Sequence, residues 1–175
     1  MPKFHSLRVK DLYKDTEQCS VIEFDIPEDL KDKFKYKAGQ YLTLRETVNG
    51  EDIRRSYSLC SSPIDDEWKV AVKQIPDGKF STHVNQFLKK DDTLQVMKPM
   101  GRFGTAISEI PKNYIVFTAG SGITPILSMI KTHLAKEPNS TFKLFYLNRT
   151  VKSIIFKEEI EQLRNQYFGR LEVFY

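Results

Sequence analysis

A chain of 175 residues can fill one good core, or two smaller ones that share an interface. Its 40% hydrophobic and 29% charged residues exclude a disordered or fibrous protein. The net charge of +4 is spread along the chain, and stretches such as Lys31–Lys37 alternate cations with acids and aromatics, which reads as a solvated face and not as a nucleic-acid-binding stripe.

The first hundred residues read as β structure. Apolar runs begin with Phe4, Leu7 and Val9 and continue through Val21–Phe24, Tyr41–Leu44, Ile53–Leu59, Trp68–Ile75 and Leu94–Met97. Turn residues bound them: Asn49-Gly50, Pro63 with Asp65-Asp66, and Pro76-Asp77-Gly78. Asn-Gly between two strand-like runs predicts a hairpin, and short strands at this spacing predict an antiparallel barrel or sandwich. One helix interrupts them, with Ser81 as its N-cap and Val84, Phe87 and Leu88 on its apolar face.

The pattern changes near Pro111. Tyr114–Phe117 is almost continuously apolar, as in a strand buried on both faces. A helix follows with Thr124 as N-cap, Pro125 at its first position, and Ile126, Ile130 and Leu134 inward. Phe142–Leu147 is a second strand. Phe156, Ile160, Leu163 and Tyr167 share a helical face ended by Gly169, and Leu171–Tyr175 begins a third strand. This order implies a parallel sheet with crossover helices, and three strands where doubly wound domains have about five or six make it a partial one. Met97–Pro111 is the joint between the two halves.

Cys19 and Cys60 supply neither a disulfide framework nor a metal cluster, so both read as free thiols, Cys60 as packing. His5, His83 and His133 lack metal-like spacing and read as surface or capping residues, so no metal site is expected. No apolar run approaches the ~18 residues of a membrane span. Met1–Lys10 alternates and lacks the apolar block of a signal peptide. The expectation is a cytoplasmic protein with no membrane or nucleic-acid partner.

Two segments carry chemistry. In Arg55-Ser56-Tyr57-Ser58-Leu59-Cys60-Ser61, strand parity sends Arg55, Tyr57 and Leu59 one way and Ser56, Ser58 and Cys60 the other. An Arg and a Tyr side by side suit a phosphate and a flat ring, and a bend at the strand end would bring Ser58 to the ring edge. In Thr118-Ala119-Gly120-Ser121-Gly122-Ile123-Thr124-Pro125, two glycines lie between a strand and a helix, the setting of a phosphate-binding turn.

The first segment resembles the R-x-Y-S-x-x-S flavin motif of the ferredoxin–NADP⁺ reductase superfamily. Its companions stand in order: Gly39-Gln40-Tyr41 upstream, then Val70-Ala71-Val72-Lys73, Gly78-Lys79-Phe80-Ser81 and Pro99-Met100-Gly101-Arg102-Phe103. The resemblance implies that Arg55 binds the FAD pyrophosphate, Tyr57 lies against the isoalloxazine, Ser58 bonds its N5, and Gly78–Ser81 offers backbone N–H groups to the pyrophosphate. Val72 and Lys73 would add to the flavin site, with Lys79 and Phe80 in the pyrophosphate turn. The Gly-x-Gly-x-x-Pro turn is similar to the nicotinamide-nucleotide loop of that superfamily, which makes Thr118, Gly120, Ser121, Gly122 and Pro125 cofactor-binding. No acid occurs in Asn148–Ser153, where NAD-preferring domains place one for the ribose. Asn148, Arg149 and Ser153 are therefore candidates to hold a 2′-phosphate, which favours NADPH over NADH. Tyr146–Glu159 most resembles reductase components of bacterial oxygenases of the phenylacetyl-CoA epoxidase reductase type.

The expectation is an FAD-binding antiparallel β-barrel over residues 1–107, then a partial NAD(P)-binding parallel α/β domain over residues 108–175. Hydride would pass from the nicotinamide to FAD, with Tyr57 and Ser58 closest to the chemistry. Electrons would continue to a ferredoxin-like domain or an oxygenase component. A [2Fe–2S] centre needs four ligands, so none is expected in this segment. A stand-alone flavin or haem-domain reductase and a non-catalytic electron-transfer module are the alternatives.

Overall fold

The computed structural model describes residues 3–175. Six strands form the first sheet: β1 (Phe4–Thr16), β2 (Cys19–Asp25), β3 (Tyr41–Val48), β4 (Glu51–Ser58), β5 (Lys69–Lys73) and β6 (Thr93–Met97). Their antiparallel order is β4-β3-β6-β1-β2-β5. The sheet rolls until its edges meet at one point, where Leu59 bridges Val70 and the Cys60 N–H donates to the Lys69 carbonyl at 2.9 Å. Alternate residues fill the barrel, with Leu7, Leu42, Leu44, Leu59, Val70, Leu94 and Val96 fully buried. Asn49 and Gly50 take φ of 52° and 80°, the paired positive values of a type I′ turn whose twist suits a hairpin.

Two short helices serve the barrel. In α1 (Lys31–Phe34) the lysines face solvent as expected, while Phe34 is buried and its carbonyl accepts from Trp68 Nε1 at 2.7 Å. Helix α2 (Lys79–Gln86) begins two residues before Ser81, so Ser81 is not its N-cap; Gly78 is, without any side-chain cap. The Ser81 hydroxyl instead closes the preceding turn, donating to the Gly78 carbonyl at 3.1 Å and accepting from the Ile75 N–H at 3.3 Å.

The second sheet is parallel, in the order β7 (Asn113–Ala119), β8 (Thr141–Leu147), β9 (Leu171–Phe174). Helices α3 (Ile123–Lys136) and α4 (Lys157–Gln166) pack on one face, where Ile126, Ile130 and Leu134 join Phe142, Leu144, Ile160 and Leu163. Burial of β7 on both faces does not hold. Ile115 is 62% and Phe117 71% exposed, because the helices cover one side of the sheet. On the open side Phe117, Phe145 and Phe174 stand in register and stack with ring centroids 4.8 Å apart. A continuous apolar run does not distinguish two buried faces from one.

The cap of α3 also differs from expectation. A single turn of tighter helix (Gly120–Gly122) leads into it, Gly122 is the N-cap, and Thr124 and Pro125 are its second and third residues. Pro125 still falls in the first turn, where no N–H is needed. His133, expected near the surface, is fully buried, with Nδ1 2.8 Å from Glu137 Oε1. The two sheets share their second core: Cys19, Val21, Cys60 and Ala71 of the barrel pack with Ile123, Ile126 and Leu127 of α3.

Candidate functional site

Away from the Leu59–Val70 bridge no ladder joins β4 to β5, and a cleft of about 890 Å³ opens between these edges. Its walls are β4, β5, the turn into α2, and the start of α3. The two sequence motifs therefore meet, although more than fifty residues apart. Arg55, Tyr57, Ser58, Lys73, Gly78, Lys79, Phe80 and Ser81 line it from the barrel, and Ser121, Gly122 and Pro125 from the parallel domain.

Strict parity does not hold along β4. Arg54 and Ser56 line the cleft together with Arg55 and Tyr57, because an edge strand exposes both its sides. Four cations line the cleft, and they differ in pairing. Lys79 Nζ reaches Glu51 at 2.6 and 2.8 Å, and Arg54 reaches Asp52 at 2.9 Å. Arg55 donates to the Arg54 carbonyl at 2.7 Å and, among the described residues, has no carboxylate partner; nor has Lys73. Tyr57 is half-buried against Phe80, with ring centroids 5.8 Å apart. Burial pushes its phenol up to about 12 against the pull of Arg55, so the hydroxyl stays protonated at neutral pH. The first N–H groups of α2, free of any side-chain cap, open on the same cleft.

Across the cleft, Gly122 allows a close approach. A Cβ there would stand 2.8 Å from Thr118 Oγ1, so the hydroxyl of β7 supports the turn from behind and does not line the cleft. Gly120 faces Lys73, whose Nζ would lie 3.9 Å from a Cβ at that position. The Gly120 carbonyl accepts from the buried Tyr146 hydroxyl at 2.9 Å, tying the turn to β8.

Some candidate residues lie elsewhere. The Val72 side chain is fully buried in the barrel, since β5 alternates and it is Ala71 and Lys73 that face outward to the cleft. Asn148, Arg149 and Ser153 follow β8 and lie outside the cleft, at the same carboxyl edge of the parallel sheet as the glycine turn. Arg149 is exposed, whereas the Ser153 hydroxyl is engaged in a capping box with Thr150, donating to its carbonyl at 2.8 Å and accepting its N–H at 3.2 Å. Sequence reasoning did not select Arg54, Ser56, Ala71, Asp77 or Thr124, which line the cleft beside selected residues, nor Glu51, Asp52, Ile53, Ile75 and Pro76, which line it further along β4 and in the turn before α2. Adjacency was the signal for the first group. Among the described residues no helix is long and apolar enough to cross a membrane, and no cluster of three His, Cys, Asp or Glu is disposed for a metal.

A barrel edge and a glycine turn face each other across one cleft, a two-domain architecture with a single shared site. Residues 7–104 match the oxidoreductase FAD-binding domain family and residues 116–175 the oxidoreductase NAD-binding domain family, and the chain belongs to these FAD- and NAD-binding oxidoreductases. It is 40% identical to a subunit of the 1,2-phenylacetyl-CoA epoxidase of Escherichia coli K12, over 99% of this chain and 49% of that protein. It is 38% identical to the ferredoxin reductase component of 3-ketosteroid-9-alpha-monooxygenase from Rhodococcus rhodochrous, over 95% of this chain and 47% of that protein. The chain thus spans about half the length of these relatives. Among solved structures, the flavohem-like FAD/NAD binding domain of nitric oxide dioxygenase from Vibrio cholerae superposes with a TM-score of 0.81 at 26% identity, covering 100% of this chain and 75% of that one. Phthalate dioxygenase reductase gives 0.78 at 25% identity, covering 98% and 51%.

Proposed function

We propose that the chain is the flavin- and nicotinamide-binding portion of a reductase that takes a hydride from NADPH, or NADH, and passes electrons to an iron–sulfur or oxygenase partner. The shared cleft carries this reading: the barrel motif and the glycine turn line one cavity, which hydride transfer between two bound nucleotides requires. FAD fits the residues present. An uncapped helix start and an Arg without a carboxylate partner suit a pyrophosphate, and a half-buried tyrosine beside them suits a flat ring. When bound, the flavin supplies the conversion of a two-electron hydride into single electrons.

In this reading Arg55, Lys79 and the N–H groups after Gly78 hold the pyrophosphate, with Phe80 and Ser81 shaping their turn. Tyr57 supports the ring, and the Ser58 hydroxyl offers its edge a hydrogen bond. Val72 acts through its place in β5, which turns Ala71 and Lys73 to the cleft. Thr118, Gly120, Ser121, Gly122 and Pro125 form the turn for the nicotinamide nucleotide's phosphates. Asn148, Arg149 and Ser153 lie on its adenosine side, with Arg149 as the 2′-phosphate contact. No side chain acts as a general acid or base; the protein positions and screens.

The names of the relatives, a ferredoxin reductase component and part of an epoxidase, support a ferredoxin-like domain or an oxygenase component as acceptor. We place the division between the FAD-binding and NAD(P)-binding halves at 107/108, and a cytoplasmic setting suits two free thiols. Anaerobic addition of NADPH to the purified yellow protein tests the function. Bleaching of the flavin absorbance is expected; a flavin that neither nucleotide reduces would defeat the reading.

A further inference from the structure

The strand that carries Arg55, Tyr57 and Ser58 runs on through Leu59 and Cys60 into Ser61 and Ser62, which are 1% and 0% exposed. The Ser61 hydroxyl is anchored in the barrel: it lies 2.8 Å from the Tyr36 hydroxyl and 2.9 Å from the Glu67 carbonyl, and accepts the Lys69 N–H at 3.0 Å. Its own carbonyl belongs to the other domain. It accepts from Ser128 Oγ of α3 at 2.6 Å. One turn later the Thr132 hydroxyl donates to the Ser128 carbonyl at 2.6 Å, which leaves its oxygen to accept the Ser62 hydroxyl at 2.8 Å. Lys131 extends the contact to Asp65 at 3.0 Å, and the same carboxylate accepts the Ser62 N–H at 3.2 Å.

Ser128 and Thr132 are themselves buried, on a helix whose other buried residues are mostly apolar, Ile123, Ile126, Leu127, Met129, Ile130 and Leu134. Apolar packing would suffice to hold α3 on the barrel, but it is non-directional and tolerates sliding. Hydrogen bonds across it do not, since the Ser128 and Ser62 hydroxyls each donate to a single acceptor on the other side and a shift leaves these buried donors without a bond. The bonds therefore fix register, and α3 carries Ser121 and Gly122 at its start.

We propose that Ser128 and Thr132 are positioning residues that lock the glycine turn in one register against the strand bearing Arg55, Tyr57 and Ser58, so that the nicotinamide nucleotide meets the flavin at a set distance. The hydride-transfer part of this inference rests on the reductase reading; the locking of the domains does not.

The test compares Ser128→Ala and Thr132→Val with Thr132→Ser, which keeps the hydroxyl. Spin labels at Gln86→Cys and Gln162→Cys, both exposed, report the separation of the domains without any cofactor, the native Cys19 and Cys60 being buried. FAD and NADPH dissociation constants and the rate of flavin reduction are measured beside it. Ser128→Ala and Thr132→Val are expected to broaden the distance distribution and slow reduction about tenfold or more, while both dissociation constants stay within about twofold. Thr132→Ser is expected to retain the narrow distribution and the parent rate. Unchanged distances would overturn the proposal, as would a rate loss matched by an equal loss of FAD binding. If the parent chain is not reduced at all, the reductase reading fails alone, and the distances still decide whether these hydroxyls lock the domains.

Discussion

Arg55 illustrates how much a single side chain owes to its place on a sheet edge. It opposes the fully buried Leu44, yet the divergence of β4 from β5 leaves its guanidinium exposed and free of a carboxylate. A charge-assisted hydrogen bond contributes about 1.5–3 kcal/mol, so Arg55→Ala is expected to weaken FAD binding about tenfold or more. Titration of the apoprotein with FAD measures this, and an unchanged affinity would move the pyrophosphate elsewhere. Arg149 makes a different prediction because it lies beyond the cleft. Arg149→Asp is expected to weaken NADPH far more than NADH, by placing a negative charge against a 2′-phosphate; equal losses in a binding titration would remove Arg149 from that role. Residue type and spacing made both of them candidates in the sequence. Ser153 was legible as a polar residue, but not its capping box with Thr150, which uses the hydroxyl locally.

Among the elements, strands were the most readable, since alternation of apolar residues records which face a strand buries. Helix starts were less so. Ser81 and Thr124 have the chemistry of N-caps but sit inside α2 and α3, and Gly78 and Gly122 occupy the caps. Propensity identifies residues that suit an end; it does not weigh a neighbouring glycine turn, whose bare cap leaves the first N–H groups of the helix without a side-chain acceptor. The turn at Gly122 gives a prediction at this scale. A Cβ there would crowd Thr118 Oγ1, so Gly122→Ala is expected to displace the turn and weaken nucleotide binding. Thr118→Ala removes the crowding atom, and Gly122→Ala made in that background should cost much less. A double-mutant cycle in NADPH affinity measures the coupling; additive losses would mean that Thr118 does not set the turn.

At the scale of the molecule, what escaped the sequence was the meeting of distant segments. The i,i+4 spacing of His133 and Glu137 lets them meet on α3, but nothing in the sequence predicts that the pair lies buried, with Thr105 of the inter-domain segment 3.2 Å from His133 Nε2. Burial pushes the Glu137 carboxyl up, but hydrogen bonds from Ser140, the Ser108 N–H, His133 and Tyr114 outweigh it and bring it down to about 2. A carboxylate held below its unfolded value of 4.5 contributes stability that is complete above that pH and is lost as pH falls towards 2. The thermal midpoint is therefore expected to drop across this window, and to drop less in Glu137→Gln, as calorimetry at stepped pH would measure. Equal pH dependence in the two proteins would show that this carboxylate does not anchor the segment that includes Thr105 and Ser108.

Trp68, the single tryptophan of the chain, is 7% exposed, and its Nε1 is bound to the Phe34 carbonyl inside the barrel. Tryptophan emission, excited apart from tyrosine, thus reports on one half of the molecule. Emission follows the antiparallel strands and is silent about the parallel sheet, whereas far-ultraviolet dichroism samples α3 and α4 as well. Because Cys60 and Ala71 share a core with α3, the two signals are expected to melt together, and any gap between their curves measures how far the halves unfold independently of one another.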